Sequence, residues 1–239
     1  MAKKEAGGRS SSQNDFLEPL APQTVTATDV GTGRAYNNGA IVVTFTIDAL
    51  SPEASTYSIT SDGSTVIKTG ALPTPSGGVY SITVENLLSG VTYSAATVYL
   101  TNDSGDSDSS AVPSVTVTTV PQAPQSVSAT STTADQDIIS WSNGNSGGSA
   151  ITSTYAVSTD QVANPGNITL DTNPKTVSEV GGTVQSYTLY HVNANGTSAG
   201  ASTADVTTIA PFFPFFPPFF PPFFPFFPPF FPPFFPSFP

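Results

Sequence analysis

Cysteine is absent from the 239 residues, so the chain has neither a disulfide framework nor thiolate chemistry, and no His/Cys spacing for a zinc site exists. Cations are scarce. Lys3, Lys4, Arg9, Arg34, Lys68 and Lys175 face 17 acids, for a formal net charge of −11. Three of the six lie in the first nine residues, so from residue 19 to 210 fourteen acids meet three cations. Phosphate binding depends on Lys and Arg, so nucleic acid is excluded as a partner, while the acidic surface favours solubility and dispersal. No apolar run of about 18 residues is free of proline, which argues against a transmembrane helix and membrane insertion. The opening MAKKEAGGRSSSQNDF lacks the apolar core of a secretory signal. The expectation is a surface module made and kept in cytosol, a combination that a virus particle assembled inside a cell satisfies.

What the body of the chain lacks in phenylalanine, its end has in excess. Residues 211–239 contain thirteen Pro, one Ser and fifteen of the 17 Phe. Proline removes amide donors and clashes with the preceding turn, which bars a helix, and the same missing donors argue against a central strand. An extended polyproline-II-like path remains, rising about 3.1 Å per residue and so spanning roughly 90 Å. Burying one Phe side chain is worth about 1.5–3 kcal/mol. Fifteen left in water would forgo roughly 20–45 kcal/mol, against about 5–15 kcal/mol for the stability of a whole domain. The Phe pairs begin at 212, 215, 219, 223, 226, 230 and 234. On a helix of three residues per turn a step of four rotates the face by about 120°, so the pairs travel round the axis. That suits a strand surrounded by neighbours. A disordered, low-complexity Pro-rich spacer and packing back onto the chain's own domains are the alternatives, although spacers are normally polar and no charge follows Asp205. The expected assembly interface is Phe212, Phe213, Phe215, Phe216, Phe219, Phe220, Phe223, Phe224, Phe226, Phe227, Phe230, Phe231, Phe234, Phe235 and Phe238.

Residues 1–20 are Ser-, Gly- and charge-rich, as in a flexible arm. From there the pattern turns to period two with β-branched residues, the signature of strands. Seven strands are expected over residues 21–120, at 24–29, 40–48, 56–61, 65–69, 80–85, 92–102 and 114–120. A second cycle over residues 121–210 places them at 126–131, 136–142, 153–158, 168–171, 175–179, 185–193 and 203–209. Turn clusters rich in Gly, Asp and Ser separate them, and the linker at 120–124 is short and proline-stiffened. Seven short strands in about 100 residues is the expectation for an antiparallel β-sandwich. The fold class is therefore all-β, two tandem sandwiches followed by an extended tail.

The first cycle carries Leu87-Leu88-Ser89-Gly90 before Thr92-Tyr93, then Val98, Leu100, Asn102, Gly105 and Ser107. The second carries Trp141 on its second strand, Tyr155 on its third, then Tyr187, Leu189, His191 and Asn195-Gly196-Thr197-Ser198. Both cycles resemble fibronectin type III modules, immunoglobulin-like sandwiches of about 90 residues. The resemblance implies a tyrosine corner at Tyr93 and a module core that includes Phe45, Tyr93, Trp141, Tyr155 and Tyr187. Phe45 stands where the first module has no Trp. Together with the Pro-Phe-Phe-Pro repeats, the chain resembles virion structural proteins of tailed phages, especially marine cyanophages. That resemblance implies a fibre, capsid decoration or appendage present in several copies on the particle.

Chemistry is sparsely represented. The single histidine, His191, lies on an expected strand, where a packed side chain is the ordinary role. Gly-x-Ser-x-Gly occurs around Ser146 and Ser198, but a nucleophile elbow needs a strand before it and a helix after it. Both stretches sit instead in Gly/Asn-rich loops. Asp103, Asp106 and Asp108 crowd one loop without the order of an EF-hand, so an acidic turn is expected. No catalytic residue, metal or cofactor is expected. The loops at 142–150 and 160–166 are candidate contact surfaces.

The reading is a non-enzymatic virion protein that oligomerises through its tail, as a trimer, and meets other virion proteins. The alternative from another class is an adhesin that recognises a host-surface glycan or protein.

Overall fold

Alternating Thr, Val, Ile and Ser suit a pleated surface with one dry and one wet face. The computed structural model describes residues 17–212, and there every regular element is a strand. The first module contains β1 (Gln23–Asp29), β2 (Gly39–Thr46), β3 (Thr56–Thr60), β4 (Val66–Ala71), β5 (Val79–Leu87), β6 (Thr92–Tyr93), β7 (Thr97–Asn102), β8 (Gly105–Asp106), β9 (Ser110–Ala111) and β10 (Val115–Thr116). One sheet runs β1-β2-β5 and the facing one β4-β3-β7-β8, with β9 also on β7 and β6 paired to β10.

The second module contains β11 (Gln125–Thr133), β12 (Gln136–Ser142), β13 (Ser153–Ser158), β14 (Asn167–Thr169), β15 (Lys175–Ser178), β16 (Val184–Gln185), β17 (Tyr187–Asn193), β18 (Gly196–Thr197), β19 (Ala201–Ser202) and β20 (Val206–Thr207). Its sheets are β11-β12-β15 and β14-β13-β17-β18, with β19 on β17 and β16 paired to β20. The order repeats that of the first module. The chain is therefore all-β, with two tandem fibronectin type III-like sandwiches.

The core lies between the two sheets of each module. On β2 the alternation turns Ile41, Val43 and Phe45 inward, all fully buried, against Ile59, Val98 and Leu100 of the facing sheet. Phe45 stacks on Tyr80 at 5.4 Å, within the offset-stacked range of aromatic pairs. The second core is smaller, built on Ile139, Trp141, Ala156, Leu170, Val177, Tyr187, Leu189 and Val206.

Three expectations differ from the structure. Residues 92–102 and 185–193 are each divided between two strands, because the chain crosses between sheets: β6 pairs with β10 and β7 with β3, as β16 pairs with β20 and β17 with β13. A period-two pattern does not register a change of partner. Residues 17–20 are not loose, since the Leu17 carbonyl accepts from Asn102 Nδ2 at 2.9 Å and the Leu20 amide donates to Ser51 Oγ at 3.0 Å. Tyr155 is not a core residue. On β13 the inward row is Thr154, Ala156 and Ser158, so Tyr155 lies on the outer face, half-buried and stacked on Tyr190 at 5.0 Å.

Truncating a buried Phe costs its transfer free energy plus the cavity left behind. Phe45→Ala is expected to lower the unfolding free energy of the first module by about 3–5 kcal/mol in urea titrations. A loss below about 1 kcal/mol would show that the site collapses around the smaller side chain.

Candidate functional site

The joint between the two modules is densely hydrogen-bonded. Thr119 is fully buried and Val120 nearly so, because loops from both modules close on the linker. From the first module, the Arg34 carbonyl accepts the Val120 amide at 3.0 Å. From the second, the Gly147 carbonyl accepts from Thr119 at 2.8 Å and the Asn145 carbonyl from Gln122 at 2.9 Å. Asn193 ends β17 at an inward position and donates its amide to the carbonyls of Thr119 at 2.8 Å and Ser146 at 2.9 Å. Asn195 donates to Thr119 O at 3.2 Å, and its own carbonyl accepts from Gly33 at 2.8 Å. Swivelling the modules would strip these buried groups of partners, at about 1–3 kcal/mol for each one left unpaired. A groove of about 450 Å³ runs beside the linker, lined by Gly33, Tyr36, Val120, Pro121 and Gly196 among others.

Glycine makes the close approach possible. Gly148 has a φ of 82°, and a Cβ there would lie 2.8 Å from the Val117 carbonyl and 3.0 Å from Gly90 Cα. The stretch 144–148, which matches a nucleophile elbow by letter, is therefore a backbone contact. The loop at 142–150 is likewise occupied by the linker along much of its length.

The other singled-out residues have structural places. Ser198 Oγ accepts the His191 amide at 3.0 Å and donates to the Ala199 carbonyl at 2.8 Å. In the first module Ser107 does the same for Leu100 and Asp108, at 3.0 and 2.8 Å. His191 thus fills the position that Leu100 fills in the first module. It is fully buried, with Nδ1 2.9 Å from Thr154 Oγ1 and Nε2 without a partner. Burial lowers its pKa and keeps the ring neutral. Asp106 accepts from Thr101 Oγ1 at 2.6 Å, and among the described residues no three His, Cys, Asp or Glu are grouped to hold a metal ion. Asp160, in the loop at 160–166, caps its own turn by accepting the Val162 amide at 2.9 Å.

Phe45, Trp141 and Tyr187 lie in the cores, and Tyr93 is half-buried against the first core with its hydroxyl paired to the Leu88 backbone. β6 and β16 pair with β10 and β20 in the same way, Tyr93 opposite Val115 and Gln185 opposite Val206. The second module therefore has Gln185 at its corner. Of the expected assembly residues only Phe212 is described, 89% exposed, and Phe213 to Phe238 lie outside the described residues. Sequence reasoning missed Asn193 and Asn195. Asn-x-Asn-Gly signals a turn, but not which carbonyls the side-chain amides reach.

No protein-family model matches the chain, and no curated protein matches it. Among solved structures, the chain is similar to the FN1–FN3 domains of chicken CNTN1, at 17% identity and a TM-score of 0.41, over 81% of this chain and 68% of that one. It is also similar to a structure of titin kinase and its flanking domains, at 20% identity and a TM-score of 0.32, over 37% of this chain and 17% of that one. No described helix is long and apolar enough to cross a membrane.

Because Gly148 admits no side chain, Gly148→Ala is expected to open the joint while both sandwiches stay folded. Small-angle X-ray scattering should show a broader range of module separations with an unchanged circular dichroism spectrum. An unaltered scattering profile would mean that the glycine does not hold the modules together.

Proposed function

We propose that the chain is a non-enzymatic structural protein of a phage particle, a fibre, decoration or appendage subunit assembled in the host cytoplasm and displayed on the particle surface. It assembles with copies of itself as a trimer, and with other virion proteins. The observation that carries this reading is the composition of residues 211–239. Fifteen Phe sit on a backbone that proline keeps out of helices, and so much apolar surface needs a cover. The bonded joint supports the same reading, since it makes two acidic sandwiches into one stiff stem. The burial of His191 in a core position, and the engagement of Ser198 Oγ with the backbone groups of His191 and Ala199, support a non-enzymatic role.

A second reading, an adhesin for a host-surface glycan or protein, is favoured by the Tyr155–Tyr190 stack on the outer face of the second module. Half-exposed aromatic pairs offer a large apolar face with polar tips. A glycan array probed with the full chain and with Tyr190→Ala separates the readings. Binding lost in the variant supports the adhesin, and no binding by either chain removes it.

For the structural reading, replacing Phe219, Phe220, Phe223 and Phe224 together by Ser is expected to reduce the mass in light scattering to that of a single chain, with both sandwiches intact by circular dichroism. A variant that keeps the parent's oligomeric mass overturns the assignment of the tail.

A further inference from the structure

The second module places a carboxyl group where a sandwich has its core. On β12 the inward row reads Asp137, Ile139, Trp141, and Asp137 is fully buried. On β17 the inward row opens with Tyr187, also fully buried. Glu179 follows β15, the strand paired to β12, and is 5% exposed. The Tyr187 hydroxyl lies 2.8 Å from Asp137 Oδ2 and 2.6 Å from Glu179 Oε1.

A tyrosine hydroxyl has one proton to give, and an ionised carboxylate accepts only. With both acids ionised, one of these two contacts would set oxygen against oxygen with no proton between them. The surrounding donors decide which acid keeps a proton. Asp137 accepts from Gln185 Nε2, from Thr208 Oγ1 at 3.0 Å and from Tyr187, which is ample for a carboxylate. Besides Tyr187, Glu179 has one donor, Asn164 Nδ2 at 2.6 Å, and its Oε2 is buried without a partner. The charged groups about it are all acidic. They are Asp137 on β12, Asp160 in the loop after β13, and Asp135, whose carbonyl accepts the Glu179 amide at 3.0 Å. The two ion pairs among the described residues, Arg34–Glu85 and Lys175–Asp171, do not involve it.

We propose that Glu179 holds its proton at neutral pH and donates it to the Tyr187 oxygen, while Tyr187 donates to ionised Asp137, so that the module contains a buried proton relay whose ionisation loosens it. Burial is the largest influence and raises the Glu179 pKa; the contact with Tyr187 comes next and acts the other way, the charges of Asp137 and Asp160 raise it further, and Asn164 lowers it least, so that the net direction is upward.

The direction of the pH effect follows. An unfolded Glu ionises at about 4.3, and the folded one at a higher pH. Between the two the folded state binds one more proton, so this contribution to stability is complete below the ordinary value and is lost as pH rises through the raised one. His191 acts oppositely. Its pKa is lowered, so its contribution is present at neutral pH and lost as pH falls below about 6.5. Comparing the parent with Glu179→Gln at each pH cancels the His191 contribution, because the two groups share no partner.

The test uses the full-length chain and Glu179→Gln, whose amide donates to Tyr187 at any pH. In denaturant titrations the parent should lose folding equilibrium constant relative to the variant by about tenfold per pH unit, from about pH 4.3 up to the raised value of Glu179. Infrared difference spectra at neutral pH should show the carbonyl stretch of a protonated carboxylic acid in the parent and not in the variant. Parallel stability profiles, or no such band in the parent at neutral pH, overturn the proposal. Should the variant fail to fold, the acid band of the parent and its loss at high pH decide alone.

Discussion

The carbonyl of Thr119 sits where water does not reach, and the side-chain amides of Asn193 and Asn195 both supply it with protons. A buried backbone acceptor left bare costs about as much as a lost hydrogen bond, so the linker can be buried only if both modules close on it together. That constraint turns two sandwiches into one body. It also explains why Gly147 and Gly148 have positive φ: the loop must bring backbone, not side chains, against the linker. The same loop cannot then serve as an open binding surface.

The requirement that buried polar groups be paired also shapes the interior of the second module. Its core has fewer apolar side chains than the first, and fully or almost fully buried positions go to Asp137, Gln185 and His191. Gln185 bonds to Asp137 and, at 2.5 Å, to Thr208, and Tyr187 joins Asp137 to Glu179. A half-satisfied network costs more than an apolar core. The proton on Glu179 is what completes this one, and it makes the module sensitive to pH in a way its partner is not.

Much of the fold was legible because a sandwich with one wet and one dry face repeats every second residue. β12 and β13 coincide with the expected ranges, and Phe45 and Trp141 fall in the cores. Tyr155 was misplaced because family resemblance supplied its role while the alternation along β13 turns it outward. The joint and the Asp137–Tyr187–Glu179 network were not legible, since they depend on groups distant in sequence meeting across different strands, Tyr187 with Asp137 at a separation of 50 residues and Asn193 with Thr119 at 74.

By itself the sequence determined that the chain is all-β, acidic and free of cysteine, and that residues 211–239 are almost wholly Pro and Phe; composition and local alternation suffice for these. Only the tertiary structure decided that the modules are bonded into one stem, that His191 stands in for a leucine, and that an aspartate, a tyrosine and a glutamate share too few protons to be fully ionised. Such facts concern which buried groups meet, and pairing across strands is settled by register and packing, not by any local pattern.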